Sequence, residues 1–235
     1  MRSAAHLRCV HLLGAALLCT LSAAPAAAAL RNPQVQIQGS SLQAYLNGVR
    51  ESIDVRRDQV NIQVFRPTVS NNSTFTIQME IGLKDSQFEI GVYDATQSGP
   101  VLMPLFPPDS RPGWFAVASF RSSPTRLVVN TFDQNAAFVG RHTYPGGSRS
   151  AFGYYVQGPD GTSYMEDSRN PGAAPQVLTY AGTGINSGSF WMAFERTPLG
   201  QGSDFDFDDA VVFLESVNAL PVQHASWGQV KARFR

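Results

Sequence analysis

The chain is poor in cysteine: it has two, Cys9 and Cys19, and both lie in the opening stretch. Everything downstream therefore lacks a disulfide framework and any thiolate metal site. Histidine is nearly as scarce, and once His6 and His11 of that stretch are set aside only His142 and His224 remain. This excludes a histidine-rich metal centre. With no Gly-x-Ser-x-Gly motif either, no serine sits in a context that names a base and an orienting acid. Charge is low, at 15% of residues, and 18 basic residues balance 18 acidic ones, so neither nucleic acid nor an anionic membrane is an expected partner. Phosphate-binding loops are missing too, because Gly182-Thr-Gly184 lacks the strand-to-helix context of a nucleotide cradle. No repeat of fixed period occurs.

Residues 1–29 read as a secretory signal peptide. Arg2 and Arg8 form the positive n-region, Val10 to Leu21 the apolar h-region, and Ala27-Ala28-Ala29 the cleavage site, so the expected mature chain starts at Leu30. The apolar run is short for a bilayer span, and the bulky Leu18 before Cys19 argues against lipidation. Cleavage removes both cysteines, and the exported chain must then be held by its apolar core and by any ion it binds. Expected locations are secreted, periplasmic or cell-surface, with no membrane span in the mature chain.

What is present in quantity is aromatic residues (11%), 20 glycines and 15 prolines. Leu42, Tyr45, Leu46 and Val49 follow helical spacing and predict one short amphipathic helix, with Ser40 or Ser41 as N-cap and Gly48 near its end. Beyond it the period changes to two. Val60, Ile62 and Val64 alternate with polar residues, as do Phe75, Ile77, Met79 and Ile81, then Phe88, Ile90 and Val92. Prolines from Pro100 to Pro112 predict a long loop with one short edge strand. Alternation resumes at Trp114, Ala116, Ala118 and Phe120 and at Leu127, Val129 and Thr131. Phe152 to Val156 runs into Gly158-Pro-Asp-Gly161, a turn that predicts a hairpin. Gln176 to Tyr180, Phe190 to Phe194 and Ala210 to Val217 complete about ten strands. The expected fold is all-β: a single antiparallel β-sandwich over residues 30–220, with a tail at 221–235.

The stretch Gly200 to Leu214 carries the chemistry. Asp204, Asp206, Asp208 and Asp209 place four carboxylates in six positions, where they repel one another unless solvated or gathered around a cation. In an extended segment the outer aspartates would stand roughly 13 Å apart, at about 3.3 Å per residue. A single ion bound at about 2.4 Å therefore requires a bend before Asp208. Gly200, Gly202 and Ser203 favour that bend, and Glu195, which follows the strand Phe190 to Phe194, is close enough in sequence to fold back onto the cluster. Hard oxygen ligands favour Ca2+ over zinc. The alternative is a solvated strand entrance.

Two other functions compete. Glu166, Asp167 and Glu195 could supply a glycosidase carboxylate pair, and Trp114, Tyr154 or Trp191 could stack on sugar in a glycan-binding adhesin module. His142, before Pro145-Gly-Gly, reads as a loop residue.

Phe152-Gly-Tyr-Tyr-Val, Pro159-Asp-Gly-Thr-Ser-Tyr164, Gln176-Val-Leu-Thr-Tyr180, Phe190-Trp-Met-Ala-Phe-Glu195 and Asp206-Phe-Asp-Asp-Ala-Val-Val212 resemble, in order and spacing, the domain of unknown function 4114. Leu42-Gln-Ala-Tyr-Leu-Asn-Gly, Ser52-Ile-Asp-Val and Phe88-Glu-Ile-Gly-Val-Tyr-Asp94 resemble the N-terminal part of members that carry a PEP-CTERM sorting signal. The resemblance implies an exported bacterial β-sandwich of the surface or extracellular matrix with no assigned catalytic activity. It implies Ca2+ at Glu195, Asp206, Asp208 and Asp209, to which the local reading adds Asp204. A polysaccharide or other cell-surface component is the expected partner. Arg196 departs from the usual acid after the Glu, Asp208 stands where Asn is common, and the tail with Trp227, Val230 and Phe234 replaces the sorting signal.

Overall fold

The computed structural model describes residues 28–67, 72–79, 88–122, 125–146, 151–198 and 201–221. The signal-peptide expectation falls almost wholly outside these residues, and so do Ile81, His224 and the tail from 222 onward.

Among the described residues one α-helix, α1 (Ser41–Gly48), precedes fourteen strands: β1 (Gln59–Val60), β2 (Ile62–Pro67), β3 (Asn72–Met79), β4 (Glu89–Asp94), β5 (Leu102–Phe106), β6 (Phe115–Ser122), β7 (Thr125–Phe132), β8 (Phe138–Pro145), β9 (Phe152–Gly158), β10 (Gly161–Tyr164), β11 (Val177–Ala181), β12 (Phe190–Phe194), β13 (Ala210–Glu215) and β14 (Val217–Pro221). They form two antiparallel sheets. The larger has the order β1-β11-β12-β13-β3-β6-β7-β8, and the smaller β14-β2-β9-β4-β5 with β10 added beside β9. The molecule is thus the expected all-β sandwich with one short N-terminal helix.

Strands outnumber the expected ten because apolar runs that look continuous in sequence cross between sheets. Val60 pairs with β11 in the larger sheet, whereas β2, two residues on, pairs with β14 in the smaller. Ala210 to Val217, expected as one strand, breaks at Ser216, whose φ of 61° turns the chain from β13 in one sheet to β14 in the other. His142 is not in a loop. It lies in β8, an edge strand paired with β7, and pairs in register with Val129. The proline-rich region does supply a short edge strand, β5, and the 158–161 turn does close the β9–β10 hairpin.

The sandwich interior is built from inward residues of both sheets, including Phe65, Val92, Phe106, Phe120, Phe152, Tyr154, Met192, Phe194 and Leu214. A second apolar cluster lies on the outer face of the larger sheet. There Leu178, Tyr180, Trp191, Ala193 and Val211 are covered by Leu42 and Leu46 of α1 and by Ile37, Ile53 and Val55 of the flanking chain. This explains why β11 to β13 read as almost unbroken apolar runs: alternate residues point to two different cores. The helix is amphipathic as expected, and it roofs the strands that carry the acidic loop.

Ser40 occupies the N-cap but makes no side-chain cap bond. The hydroxyl of Ser41 is turned instead to Asp208.

Candidate metal centre

The segment that joins β12 to β13 begins with Glu195 and ends with Asp209. Glu195 directly follows Phe194, so strand pairing holds its backbone: its N–H donates to the Gln176 carbonyl at 2.9 Å, and its own carbonyl accepts from the Gln176 side chain at 2.8 Å. Its side chain is carried into the protein and is 1% exposed.

The acidic stretch is not extended. Phe205 and Phe207 both adopt left-handed backbone, with φ of 63° and 55°, and Gly202 has φ of 99°. For a non-glycine residue this conformation costs about 1–2 kcal/mol, so neighbouring contacts must hold it. They are identifiable. Phe207 is fully buried in the cluster under α1, and the Phe205 carbonyl accepts the Gln38 N–H at 2.8 Å. The Ser203 hydroxyl accepts the Phe205 N–H at 3.1 Å. The bend that a single-ion site demands is therefore present, and it is made chiefly by two phenylalanines. Gly39 lies alongside, where a Cβ would come within 3.8 Å of Asp206 Cβ.

The coil brings three of the five expected ligands to one point. One carboxylate oxygen from each of Glu195, Asp204 and Asp206 lies within 4.8 Å of the others. Two oxygens on one ion at about 2.4 Å can be separated by at most about 4.8 Å, so these three can meet on a single cation. Asp208 and Asp209 flank the trio, but each has an oxygen engaged elsewhere. Asp208 Oδ2 accepts the Ser41 hydroxyl, and Asp209 Oδ2 accepts the Arg196 N–H at 2.6 Å. The Asp208 N–H also donates to Asp206 Oδ1 at 3.3 Å, which orients that carboxylate. The Arg196 guanidinium pairs with Asp160 on the β9–β10 turn at 3.2 Å, and its charge partly offsets the rise at Asp209.

The electrostatics are those of a site short of positive charge. Burial and then the neighbouring Asp209 push the Glu195 carboxyl up to about 8, against a smaller opposing effect of the Ser203 hydroxyl. Burial and Asp208 push Asp206 up to about 7, and burial also raises Asp209. Glu195 Oε2 is buried without a hydrogen-bond partner among the described residues. A buried carboxylate oxygen facing further carboxylates is strongly unfavourable unless a proton or cation joins it. The donor set is all hard oxygen, which fits calcium-type ions better than zinc or copper.

Ser203 was expected to favour the bend, and it does so by accepting the Phe205 N–H. Ser41 was expected only as a helix N-cap, and Gly39 was not singled out from sequence. Ser41 and Gly39 become neighbours of the loop only through the packing of α1.

The other expected sites come out differently. Tyr154 and Trp191 are 1% and 3% exposed, which leaves only the half-buried Trp114, so no two of these rings share an exposed face for a sugar. Glu166 is paired with Arg169 at 2.5 Å and Asp167 with Arg31 at 2.7 Å. No family model, curated protein or solved structure matches the chain.

Proposed function

We propose that this is an exported, non-enzymatic β-sandwich protein of the bacterial surface or extracellular matrix, held in its working form by calcium bound in the β12–β13 loop. The observation that carries the reading is the buried Glu195 side chain, which brings a carboxylate oxygen to Asp204 and Asp206 and whose Oε2 takes no hydrogen bond from the described residues. Glu195, Asp204 and Asp206 would hold the ion, and the oxygens of Asp208 and Asp209 not bound to Ser41 and Arg196 complete the candidate set. The ion supplies the positive charge that the five acids lack. The protein's contribution is to preform the coil. Phe207 anchors it beneath α1, Asp209 ties it to the end of β12, and Asp208 ties it to the start of the helix. Ion binding would thereby clamp three parts of the fold that no disulfide joins.

Export, the surface location and the absence of catalysis rest on the leader-like residues 1–29 and on the resemblance to domain of unknown function 4114. A polysaccharide or other cell-surface component remains the proposed partner class.

The test is thermal unfolding of the purified mature chain in chelator, in calcium and in magnesium. At 100 times its dissociation constant, calcium should add about 2.7 kcal/mol. For a domain of this size that amounts to a rise of roughly 5–10 °C. Magnesium should do less, because it demands a tighter octahedral shell and gives up water reluctantly. Equal melting in all three solutions would return the loop to a solvated strand entrance.

A further inference from the structure

The larger sheet has more strands in its path than the smaller, and on the flank away from the acidic loop the mismatch leaves a cleft. Edge strand β5 of the smaller sheet lies over β7, where the Thr131 hydroxyl donates to the Leu105 carbonyl at 2.9 Å. Strand β8 extends one position further, so among the described residues its inner side has no strand opposite. The resulting cleft has a volume of about 330 Å3 and lies between β8 and the Pro104–Pro107 stretch, with Glu89 of β4 also in its wall. That size falls at the lower end of the range for small-molecule sites, about 300–1,000 Å3.

Its polar groups are unbalanced. The Tyr144 hydroxyl donates to the Pro104 carbonyl at 2.8 Å, and the Thr131 hydroxyl is committed to Leu105, so both wall hydroxyls are spent as donors within the protein. Glu89 accepts the Tyr155 hydroxyl at 2.6 Å through Oε1. Its second oxygen takes no hydrogen bond from the described residues. Among the described residues no lysine or arginine lines the cleft, and apart from His142 its remaining walls are proline, leucine, valine and the Gly140 backbone. The rings of His142 and Tyr144 lie nearly parallel, 6.2 Å between centroids and 16° between planes, and add a flat π surface to this acceptor-rich, donor-poor lining. A sugar brings acceptors along with its donors and would find too few donors here. An ammonium group brings donors and positive charge only, and aromatic faces attract it as well.

We propose that the cleft between β5 and β8 binds a small organic cation: a protonated amine on a compact apolar body, its ammonium at Glu89 and its body against the prolines and the His142–Tyr144 face. Gly140 keeps the cleft open, since a Cβ there would meet only His142 Nε2, at an ordinary 3.8 Å. A larger residue at 140 can therefore fill the cleft without a backbone clash.

The experiment is a titration of the calcium-loaded protein with phenethylammonium, followed by amide chemical shifts and calorimetry, beside its neutral isostere 2-phenylethanol and methyl glucoside. Expected are saturable binding with shifts at Gly140, His142 and Tyr144, affinity at least tenfold weaker for the alcohol, and no binding of the glucoside. Glu89→Gln, which can still accept from Tyr155, should remove the preference for the amine, and Gly140→Leu should abolish binding while leaving the melting temperature within a few degrees. Equal affinity for amine and alcohol, preference for the glucoside, no saturation at millimolar concentration, or unchanged affinity in both variants would overturn the proposal.

Discussion

Two buried glutamates meet opposite surroundings. Glu51 is 4% exposed and Glu195 1%. Both have left water, and each is joined to the same three-strand region of the larger sheet. Glu51 receives the Thr183 N–H at 2.7 Å, the Thr183 hydroxyl at 2.5 Å, the Asn186 amide at 2.6 Å and the Trp191 indole at 2.8 Å. Burial alone would raise its pKa, but these four donors outweigh burial and hold the carboxyl below its ordinary value. Glu195 is surrounded by aspartates, and its carboxyl is raised to about 8. The first carboxylate is a completed structural joint between the segment after α1 and the β11–β12 connection. The second faces further carboxylates, and on the proposed reading a cation completes it.

The comparison can be broken most forcefully at Glu51. Glu51→Ala orphans four donors and should destabilise the fold by about 3–4 kcal/mol, equally in calcium and in chelator, as read by urea unfolding. Glu195→Gln should do the reverse in chelator at pH 8. It removes a carboxylate that is costly to ionise there, so the metal-free protein should gain about 1–3 kcal/mol while the calcium increment disappears.

pH separates the two residues further. Glu195 and Asp206 have folded values, about 8 and about 7, above those of the unfolded chain. In chelator their protonation stabilises the fold fully below about pH 4, and that contribution is lost as pH rises to about 8. Calcium needs the ionised groups, so its own increment should grow over the same range. Glu51, with its lowered value, contributes stability above its unfolded pKa and loses it as pH falls through the folded one. Melting temperature against pH, with and without calcium, should accordingly give curves that diverge towards alkaline pH and converge towards acid. Parallel curves would contradict the assignment. The smallest effect belongs to Ser41→Ala, which removes one hydrogen bond to Asp208 and should cost about 1 kcal/mol with the calcium response kept.

Much of this fold was legible because alternation survives wherever one strand face is buried and the other is not. Leu42 and Leu46 marked α1 by their spacing, and Gly158 to Gly161 marked the hairpin by turn chemistry. Strand β8 escaped notice because most of it is exposed on an edge, which leaves Phe138-Val-Gly-Arg-His-Thr-Tyr without a buried period. The sheet crossings at Asn61 and Ser216 escaped because an apolar run carries no mark of which sheet it joins. In the site, Asp204, Asp206 and Glu195 were visible as acids near glycine. The division of labour was not. Asp208 turns to Ser41 and Asp209 to the Arg196 N–H only because α1 and β12 are packed there, and Phe205 and Phe207 take left-handed angles that their residue type disfavours.

The most direct test of the central claim is a calcium-binding isotherm of the chelator-stripped mature protein, with Glu195→Gln beside it. One ion per chain, bound saturably by the wild type and not by the variant, is the expected result. No binding heat at millimolar calcium, or identical isotherms for the two proteins, would contradict the account.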